Sequence, residues 1–163
     1  MVIRFSVFSS LFDTEPTTRS LPLEVFERYI TAPRTLSGGA DKMAAPGWSP
    51  STFDGKRANA NVIETSCICL DFDDGTTLRE ARNRFRQFRS SFSTSWSHTP
   101  EHHRFRLILP LSRPVSREEF VRVWMWAAKL CDGKLDKACK DPARFWYLPA
   151  IHPSVPRHEH FLA

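Results

Sequence analysis

The chain has 163 residues, of which 41% are apolar and 25% charged, as expected for a globular domain with a core of its own. Its net charge is +5 with a sequence pI near 9.3, and this basic balance indicates an anionic partner such as a nucleotide or nucleic acid. No apolar run reaches the roughly 18–20 residues of a membrane span, which argues against a membrane protein and predicts a cytoplasmic one.

Residues 1–60 are predicted to form an N-terminal α/β extension. Residues 2–8 predict a strand, and residues 22–31 predict a helix with Pro22 in its first turn. Residues 32–60 are rich in Gly, Pro, Ala and Ser without a clear period, so we predict a long loop. The loop carries three basic residues, Lys42, Lys56 and Arg57. It is interpreted either as a basic loop that closes over a phosphate chain or as a plain surface loop.

The elements after residue 60 begin with an apolar strand at 62–73. Thr77 and Glu80 form a capping box that starts a helix running to about Ser90. Residues 92–98 and 104–110 then predict two strands of an antiparallel hairpin, joined by the short TPEHH connection.

Ser116 and Glu119 form a second capping box, which opens a helix to about Leu130, and a final strand is predicted at 144–149. The resulting order β-α-β-β-α-β is the split β-α-β or RRM-like arrangement. We therefore predict an α+β fold class, with an antiparallel sheet packed against helices. The whole chain is read as one domain, with its catalytic core at residues 61–152 and a tail at 153–163.

Three carboxylates follow the first core strand in the stretch SCICLDFDDG. Asp71 and Asp73 share a face of this strand, with Cα atoms roughly 6.6 Å apart at a ~3.3 Å rise per residue. Two carboxylates at that spacing can converge on hard cations, for which Mg²⁺ or Mn²⁺ is better suited than zinc. The alternative is a solvated strand end that turns before Gly75.

The predicted hairpin adds cationic side chains. His98 ends its first strand, and Arg104 and Arg106 share a face of the second, otherwise apolar strand. Buried guanidiniums are costly unless they meet an anion, and a triphosphate held against a carboxylate-bound metal would supply one. The alternative is that the arginines pair with nearby carboxylates on a hydrated face of the sheet.

The ordered set of Asp-x-Asp, a Ser/His strand and an apolar-Asp pair resembles the archaeo-eukaryotic primase (AEP) superfamily. The stretches SWSHTPEHHRFRLILPLSRPV and LDKACKDPARFWYLP resemble the primase–polymerase domains of plasmids, phages and integrated mobile elements. The resemblance covers about residues 60–152. It implies an AEP-type catalytic core.

The resemblance also implies a set of catalytic carboxylates. Asp71 and Asp73 match the first motif, whose aspartates hold metal ions, and Asp136 in the pair Leu-Asp matches the third. Asp141 is a rival for that third position. Two Mg²⁺ or Mn²⁺ ions are therefore the expected cofactors. No zinc is expected, since the four cysteines contain no CxxC pair and are typical of reduced, buried thiols.

The nucleotide-binding residues follow from the same resemblance. His98 matches the histidine of the second motif, which contacts the phosphates of the incoming nucleotide, and Ser97 or Ser95 stands for the serine of that motif. Three arginines are expected to bind phosphates, namely Arg104, Arg106 and Arg144.

The activity implied is that of a DNA primase or primase–polymerase, a template-dependent nucleotidyltransferase that serves a plasmid, phage or other mobile element. Its partners would be nucleoside triphosphates and a single-stranded DNA template. A replicative helicase or a primase accessory domain would act in trans, or this chain is a fragment of a larger protein. Two alternatives remain, a metal-dependent nuclease or rolling-circle replication initiator, and a non-catalytic domain that binds single-stranded nucleic acid.

Four arginines on the predicted helix 77–90 follow 3-4-3 spacing, namely Arg79, Arg82, Arg86 and Arg89. A stripe of this kind can follow a phosphate backbone, and Lys56 with Arg57 of the long loop can extend it. The alternative is a solvated helix face.

Overall fold

The structure is a computed structural model that describes residues 1–35, 43, 45–133, 135–151 and 160–162. It contains a four-stranded and a five-stranded antiparallel sheet, a short parallel pair of strands and three α-helices. The predicted α+β fold class is therefore confirmed. None of the helices within these ranges has both the length and the apolar character needed to cross a bilayer.

The first sheet combines the N-terminus with a strand from near the C-terminus. It has the order β2-β1-β4-β9. Its strands are β1 (Val2–Phe8), β2 (Thr17–Pro22), β4 (Gly47–Ser49) and β9 (Trp146–Tyr147). β1 is the strand predicted at residues 2–8. β2 was not predicted, because its exposed sequence TTRSLP lacks the apolar alternation of a half-buried strand.

Helix α1 (Leu23–Thr31) follows β2 directly and confirms the predicted helix. Pro22 is its N-cap rather than a first-turn residue, since the proline also ends β2. The ring of Phe26 meets those of Phe5 and Trp48 edge-on, with centroids 5.0 Å and 5.6 Å apart. These contacts pack the helix against the first sheet.

The prediction of a long loop at residues 32–60 is wrong for the part of this segment that the structure describes. It contains β3 (Arg34–Thr35), β4, β5 (Ser51–Phe53) and a short 3₁₀ helix (Asn59–Asn61). These strands have two or three residues each and pair with distant partners, so they carry no periodic sequence signal. Lys42 lies outside the described residues.

The second sheet has the order β11-β7-β8-β6-β5. Its remaining strands are β6 (Val62–Phe72), β7 (Ser91–Thr94), β8 (Phe105–Val115) and β11 (His160–Leu162). β6 and β7 both pair antiparallel with β8, so they run parallel to each other with β8 between them. This is the predicted split β-α-β arrangement.

The last strand of the predicted RRM-like order lies elsewhere. β9 covers only two residues of the predicted strand at 144–149 and joins the first sheet, where Trp146 pairs with Trp48. The position beside β6 is taken by β5, from the segment predicted to be a loop. The chain continues into β10 (Ala150–Ile151), which pairs with β3.

Both predicted capping boxes are present. Thr77 and Glu80 open α2 (Leu78–Arg84), and Ser116 and Glu119 open α3 (Arg117–Leu130). α3 ends where expected, but the prediction that α2 reaches Ser90 is wrong, because the chain leaves helical geometry after Arg84. Its apolar spacing continues past the helix because Phe88 still packs on the core from the following turn.

Candidate active site at the end of strand β6

Three side chains from three strands form one row across the second sheet. Asp71 of β6 lies opposite Arg106 of β8, which lies opposite Ser93 of β7. Directly opposed residues of antiparallel strands project from the same face, so these side chains are neighbours. The Nε atom of Arg106 is 3.7 Å from Oδ1 of Asp71, and the two side chains are 12% and 28% exposed. The row therefore places an ion pair in a largely buried position.

Burial is the largest influence on the pKa of Asp71, ahead of the arginines and carboxylates around it. Burial raises the pKa of the Asp71 carboxyl group above its usual value, and the negative charges of Asp73 and Asp136 raise it further. Arg106 and Arg144 act in the opposite direction without restoring the ordinary value. A positive charge brought to this carboxylate would therefore be stabilised.

Asp136 is the carboxylate that the fold brings to Asp71 from a distant part of the chain. Its Oδ1 accepts a hydrogen bond from the Ala138 N–H at 2.9 Å and caps the 3₁₀ helix Lys137–Lys140. Its Oδ2 accepts from Nη2 of Arg144 at 2.9 Å. The rival Asp141 instead accepts from the Ala143 N–H, and its charge acts on Arg57.

The other two aspartates of the strand end are exposed. Asp73 follows the last residue of β6 and is close enough to raise the pKa of Asp71. Asp74 accepts a hydrogen bond from the Thr76 N–H at 3.1 Å, next to Gly75 with φ +95°. Asp74 therefore forms the turn that the alternative interpretation predicted, while Asp71 lies in the candidate site and the charge of Asp73 acts on it.

Two predicted phosphate-binding arginines meet at one tryptophan. The guanidinium carbons of Arg106 and Arg144 lie 5.4 Å and 4.9 Å from the ring centroid of Trp146. Nη1 of Arg106 also donates to the Tyr147 carbonyl oxygen at 2.6 Å. Strand β9 therefore connects the arginines to the first sheet. Trp146 carries no motif signal of its own in the sequence, although it is two residues from Arg144.

His98 lies in the turn after β7 and not at the end of a strand, because β7 ends at Thr94. It is 4% exposed, and its Nδ1 accepts a hydrogen bond from the Arg104 N–H at 3.1 Å. The ring also packs edge-on against that of His103, with centroids 5.3 Å apart. His103 in turn accepts from the Leu78 N–H at the start of α2. The histidine pair thus orders the connection between β7 and β8.

The two serine candidates differ in position. Ser97 is exposed, whereas Ser95 is half-buried and lines a small depression together with Thr94, Arg106 and Tyr147. Within the described residues, the hydroxyl groups of Ser93 and Thr94 and the Nε atom of Arg106 are buried without a hydrogen-bond partner. These unpaired donors would suit an anionic or carbonyl-bearing ligand. Sequence reasoning missed Ser93 and Thr94, because only the strand register shows that Ser93 lies opposite Arg106.

The proposed arginine stripe does not lie on one helix. Arg79 and Arg82 are exposed on α2, and Arg86 is exposed in the turn that follows. Arg89 instead forms a bidentate pair with the buried Glu27, at 2.9 Å and 2.6 Å. The prediction of a continuous helical stripe is therefore wrong, because α2 ends at Arg84.

The basic residues near the start of the core also have partners. Lys56 lies 3.8 Å from Glu15 on the surface. The guanidinium of Arg57 lies over the rings of Phe8 and Phe145, at 5.3 Å and 5.4 Å, and burial lowers its pKa. The contacts of Arg57 tie the N-terminal extension to the segment before β9.

The predicted metal site can be tested against these side chains. Across the ranges that the structure describes, no three His, Cys, Asp or Glu side chains are close enough to enclose a metal ion. Mg²⁺ does not require such a cage, since proteins usually hold it through one or two carboxylates, water and substrate phosphates. One or two of the carboxylates Asp71, Asp73 and Asp136 would supply hard oxygen donors of that kind. Such a donor set would fit Mg²⁺ or Mn²⁺ completed by phosphate oxygens.

Comparison with known proteins identifies relatives of this chain. The sequence model of the VapE N-terminal domain family matches residues 50–160, which is more than half of the chain. None of the curated proteins compared with it matches the sequence. The AEP domain of the cyanophage S-2L primase–polymerase (PrimPol) has a similar solved structure, with a TM-score of 0.55 and 15% sequence identity. The match covers 97% of this chain and 79% of that one. The predicted fold resemblance is therefore confirmed.

Proposed function

We propose, for a chain that belongs to the VapE N-terminal domain family and has the fold of an AEP domain, that it is a template-dependent nucleotidyltransferase. The fold relationship and family membership support the general class of primase and polymerase domains. Use of two metal ions, action on single-stranded DNA and service to a mobile element are further parts of the proposal. Asp71, Asp73 and Asp136 would carry the reaction.

One observation carries the proposal, namely that the fold gathers carboxylates and guanidiniums at the end of β6. Asp71 comes from a central strand, Asp136 from the cap of a 3₁₀ helix and Arg144 from the segment before β9. These residues are distant in the sequence, and Asp136 and Arg144 still contribute to the electrostatic environment of Asp71. A site of alternating charge suits a reaction that transfers a phosphoryl group and moves negative charge.

The protein's own part in this reaction is to bind and orient. Arg106 and Arg144 would bind the triphosphate of the incoming nucleotide. The buried His98 would fix the turn that leads through Arg104 into β8. Asp71, Asp73 and Asp136 would hold the metal ions. When bound, such ions lower the pKa of the attacking 3′-hydroxyl group and neutralise charge on the leaving pyrophosphate. Burial of the Arg106 side chain would strengthen its attraction to phosphate by limiting solvent screening.

A primer-free incorporation assay tests the proposal. The protein is incubated with a single-stranded DNA template, labelled ribo- or deoxynucleotides and Mn²⁺, and both extended products and cleaved template are measured. Incorporation is expected in the wild type and should be lost in Asp71→Ala. The adjacent exposed Asp74→Asn is the matched control and should keep its activity. Template cleavage without incorporation would favour a nuclease. The absence of both extended product and cleaved template would contradict catalysis.

A non-catalytic domain that binds single-stranded nucleic acid is the second candidate. It is favoured by the ion pairs that already neutralise two of the carboxylates, Asp71 with Arg106 and Asp136 with Arg144. It would use the exposed arginines 79, 82 and 86 and leave the carboxylates paired with Arg106 and Arg144. DNA binding that is unchanged by Mn²⁺, together with absence of turnover, would support this candidate.

A further inference from the structure

We propose that Trp146 is a positioning residue that holds Arg106 and Arg144 as one phosphate-binding pair. The inference rests on the proposed function, because it assigns the two arginines to a triphosphate. It adds a residue that neither the motif order nor the family membership identifies as part of the site.

The contacts of the indole ring carry the inference. Both guanidiniums lie over this one ring, at 5.4 Å and 4.9 Å from its centroid. Trp146 is 3% exposed, and cation–π attraction is stronger when ring and cation are removed from water. The ring is a contact that the two arginines share, whereas their hydrogen bonds lead to different partners, the Tyr147 carbonyl and Asp136.

Gathering two cations on one ring is unfavourable unless negative charge lies beside them. In the structure that charge comes from Asp71, 3.7 Å from Arg106, and from Asp136, 2.9 Å from Arg144. A polyphosphate carries several negative oxygens in a row and can contact both guanidiniums at once. The two guanidiniums on one ring therefore offer a polyphosphate two binding groups, whereas each carboxylate in the structure pairs with one arginine.

The position of the ring is fixed from the first sheet. Trp146 lies in the two-residue strand β9, and its partner in the neighbouring strand is Trp48. Trp48 is equally buried, at 2%, and packs on Phe5 and Phe26. Trp124 offers the matched control, because it is a tryptophan of similar burial, at 6%, that lies on helix α3 and not in the first sheet.

The test measures binding of inorganic tripolyphosphate in metal-free buffer by isothermal titration calorimetry. This probe contains the phosphates alone, so neither base contacts nor metal ions contribute. Trp146→Leu should weaken binding about tenfold, since it removes two cation–π contacts. Trp146→Phe keeps an aromatic face and should weaken it only about two- to threefold. Thermal unfolding of each variant reports the structural effect separately.

The control variants are Trp124→Leu and Trp124→Phe. They should lower the melting temperature at least as much as the Trp146 variants while leaving tripolyphosphate affinity within about twofold of wild type. Equal loss of affinity at both positions, or unchanged affinity in Trp146→Leu, would overturn the positioning role and leave the proposed function standing. If Trp146→Leu does not fold, the comparison of tripolyphosphate affinity between Trp146→Phe and Trp124→Phe decides. If the wild type does not bind tripolyphosphate, both the assignment of Arg106 and Arg144 to a triphosphate and this inference are contradicted.

Discussion

Each paired carboxylate of the candidate site faces an arginine. Asp71 lies 3.7 Å from Arg106, and Asp136 lies 2.9 Å from Arg144. A metal ion that binds the carboxylates and a triphosphate that binds the guanidiniums would both replace these ion pairs. Binding of either ligand would free the group that the other needs, so the two should favour each other.

Asp136→Asn is expected to tighten binding of tripolyphosphate in metal-free buffer. The substitution releases Arg144 from its ion pair, while asparagine can still cap the 3₁₀ helix Lys137–Lys140. Because partly exposed pairs contribute about 0.2–1 kcal/mol, affinity should rise by up to about fivefold. Isothermal titration calorimetry measures the change.

The control for this prediction is Asp73→Asn. Asp73 is an exposed carboxylate at the same strand end, and no ion pair of Asp73 is found among the described residues. The substitution Asp73→Asn removes one negative charge, as Asp136→Asn does, without breaking an ion pair. Equal tightening in both variants would mean that general electrostatics accounts for the effect.

Asp71 should make the metal-free protein less stable as the pH rises. Its folded-state pKa lies above the ordinary value of 3.8, so the folded protein binds more protons than the unfolded chain between those two pKa values. Stability should therefore fall as the pH increases through that window and remain lower at neutral pH. Asp71→Asn should remove this dependence and raise the melting temperature at pH 7 relative to wild type. Thermal unfolding in EDTA from pH 3 to 7 tests this, and a parallel pH profile in both proteins would contradict it.

At the scale of elements, the end of α2 decides which arginines are available to a nucleic acid. Arg79, Arg82 and Arg86 project to solvent, whereas Arg89 holds the buried Glu27 of α1. A buried carboxylate that lost this partner would be left with an unfavourable charge. The arginines of this segment therefore divide into three candidates for binding and one that stabilises the contact with α1.

Replacing Arg79, Arg82 and Arg86 with glutamine should weaken single-stranded DNA binding for all sequences. The slope of log affinity against log salt should flatten by roughly two units, at about 0.7 for each single-strand phosphate contact. A salt titration followed by fluorescence anisotropy measures the slope. Tripolyphosphate binding should be unchanged.

A matched triple variant and a single variant serve as controls. Arg19, Arg28 and Arg122 are three exposed arginines on other elements, and their replacement should leave the salt slope close to that of wild type. Arg89→Gln should lower stability by about 1–3 kcal/mol, since it leaves Glu27 buried without its partner. Equal slopes in both triple variants would show that the segment is only a solvated surface.

At the scale of the whole molecule, the first sheet contains strands from both the N-terminal extension and the C-terminal part of the chain, and it thereby joins the extension to the site. β9 lies within the predicted core, near its C-terminal end, yet it pairs with β4 of the extension. A hydrophobic core continuous through both sheets contains Phe5 and Trp48 as well as Leu70 and Trp124. The extension therefore supports the strand that carries Trp146.

Gly47 is the position where this connection is most sensitive. A Cβ atom at Gly47 would overlap the ring of Phe145, which lies next to Trp146. Gly47→Ala should destabilise the protein by about 1–3 kcal/mol and also weaken tripolyphosphate binding, because the Phe145 ring must move and Phe145 is the chain neighbour of Trp146. Ser49→Ala in the same strand is the control, since it removes only two long hydrogen bonds, one of 3.4 Å to the Pro142 carbonyl and one of 3.5 Å from the Ser51 N–H. Destabilisation without loss of affinity would separate the first sheet from the site.

Local sequence determined the elements whose signals lie within a few neighbouring residues. The capping boxes at Thr77 and Ser116 start helices because each joins a side-chain acceptor to a backbone N–H three residues away. The apolar run before Asp71 forms a buried strand for the same local reason. The motif order was also sufficient to predict the fold of an AEP domain.

The tertiary structure decided which distant groups meet. Only pairing between strands places Ser93 opposite Arg106, brings β5 beside β6 and sends β9 to the first sheet. Only packing places Asp136 near Asp71 and directs Asp141 toward Arg57. These contacts join residues far apart in the chain, and their free energy depends on partners that the local sequence does not contain.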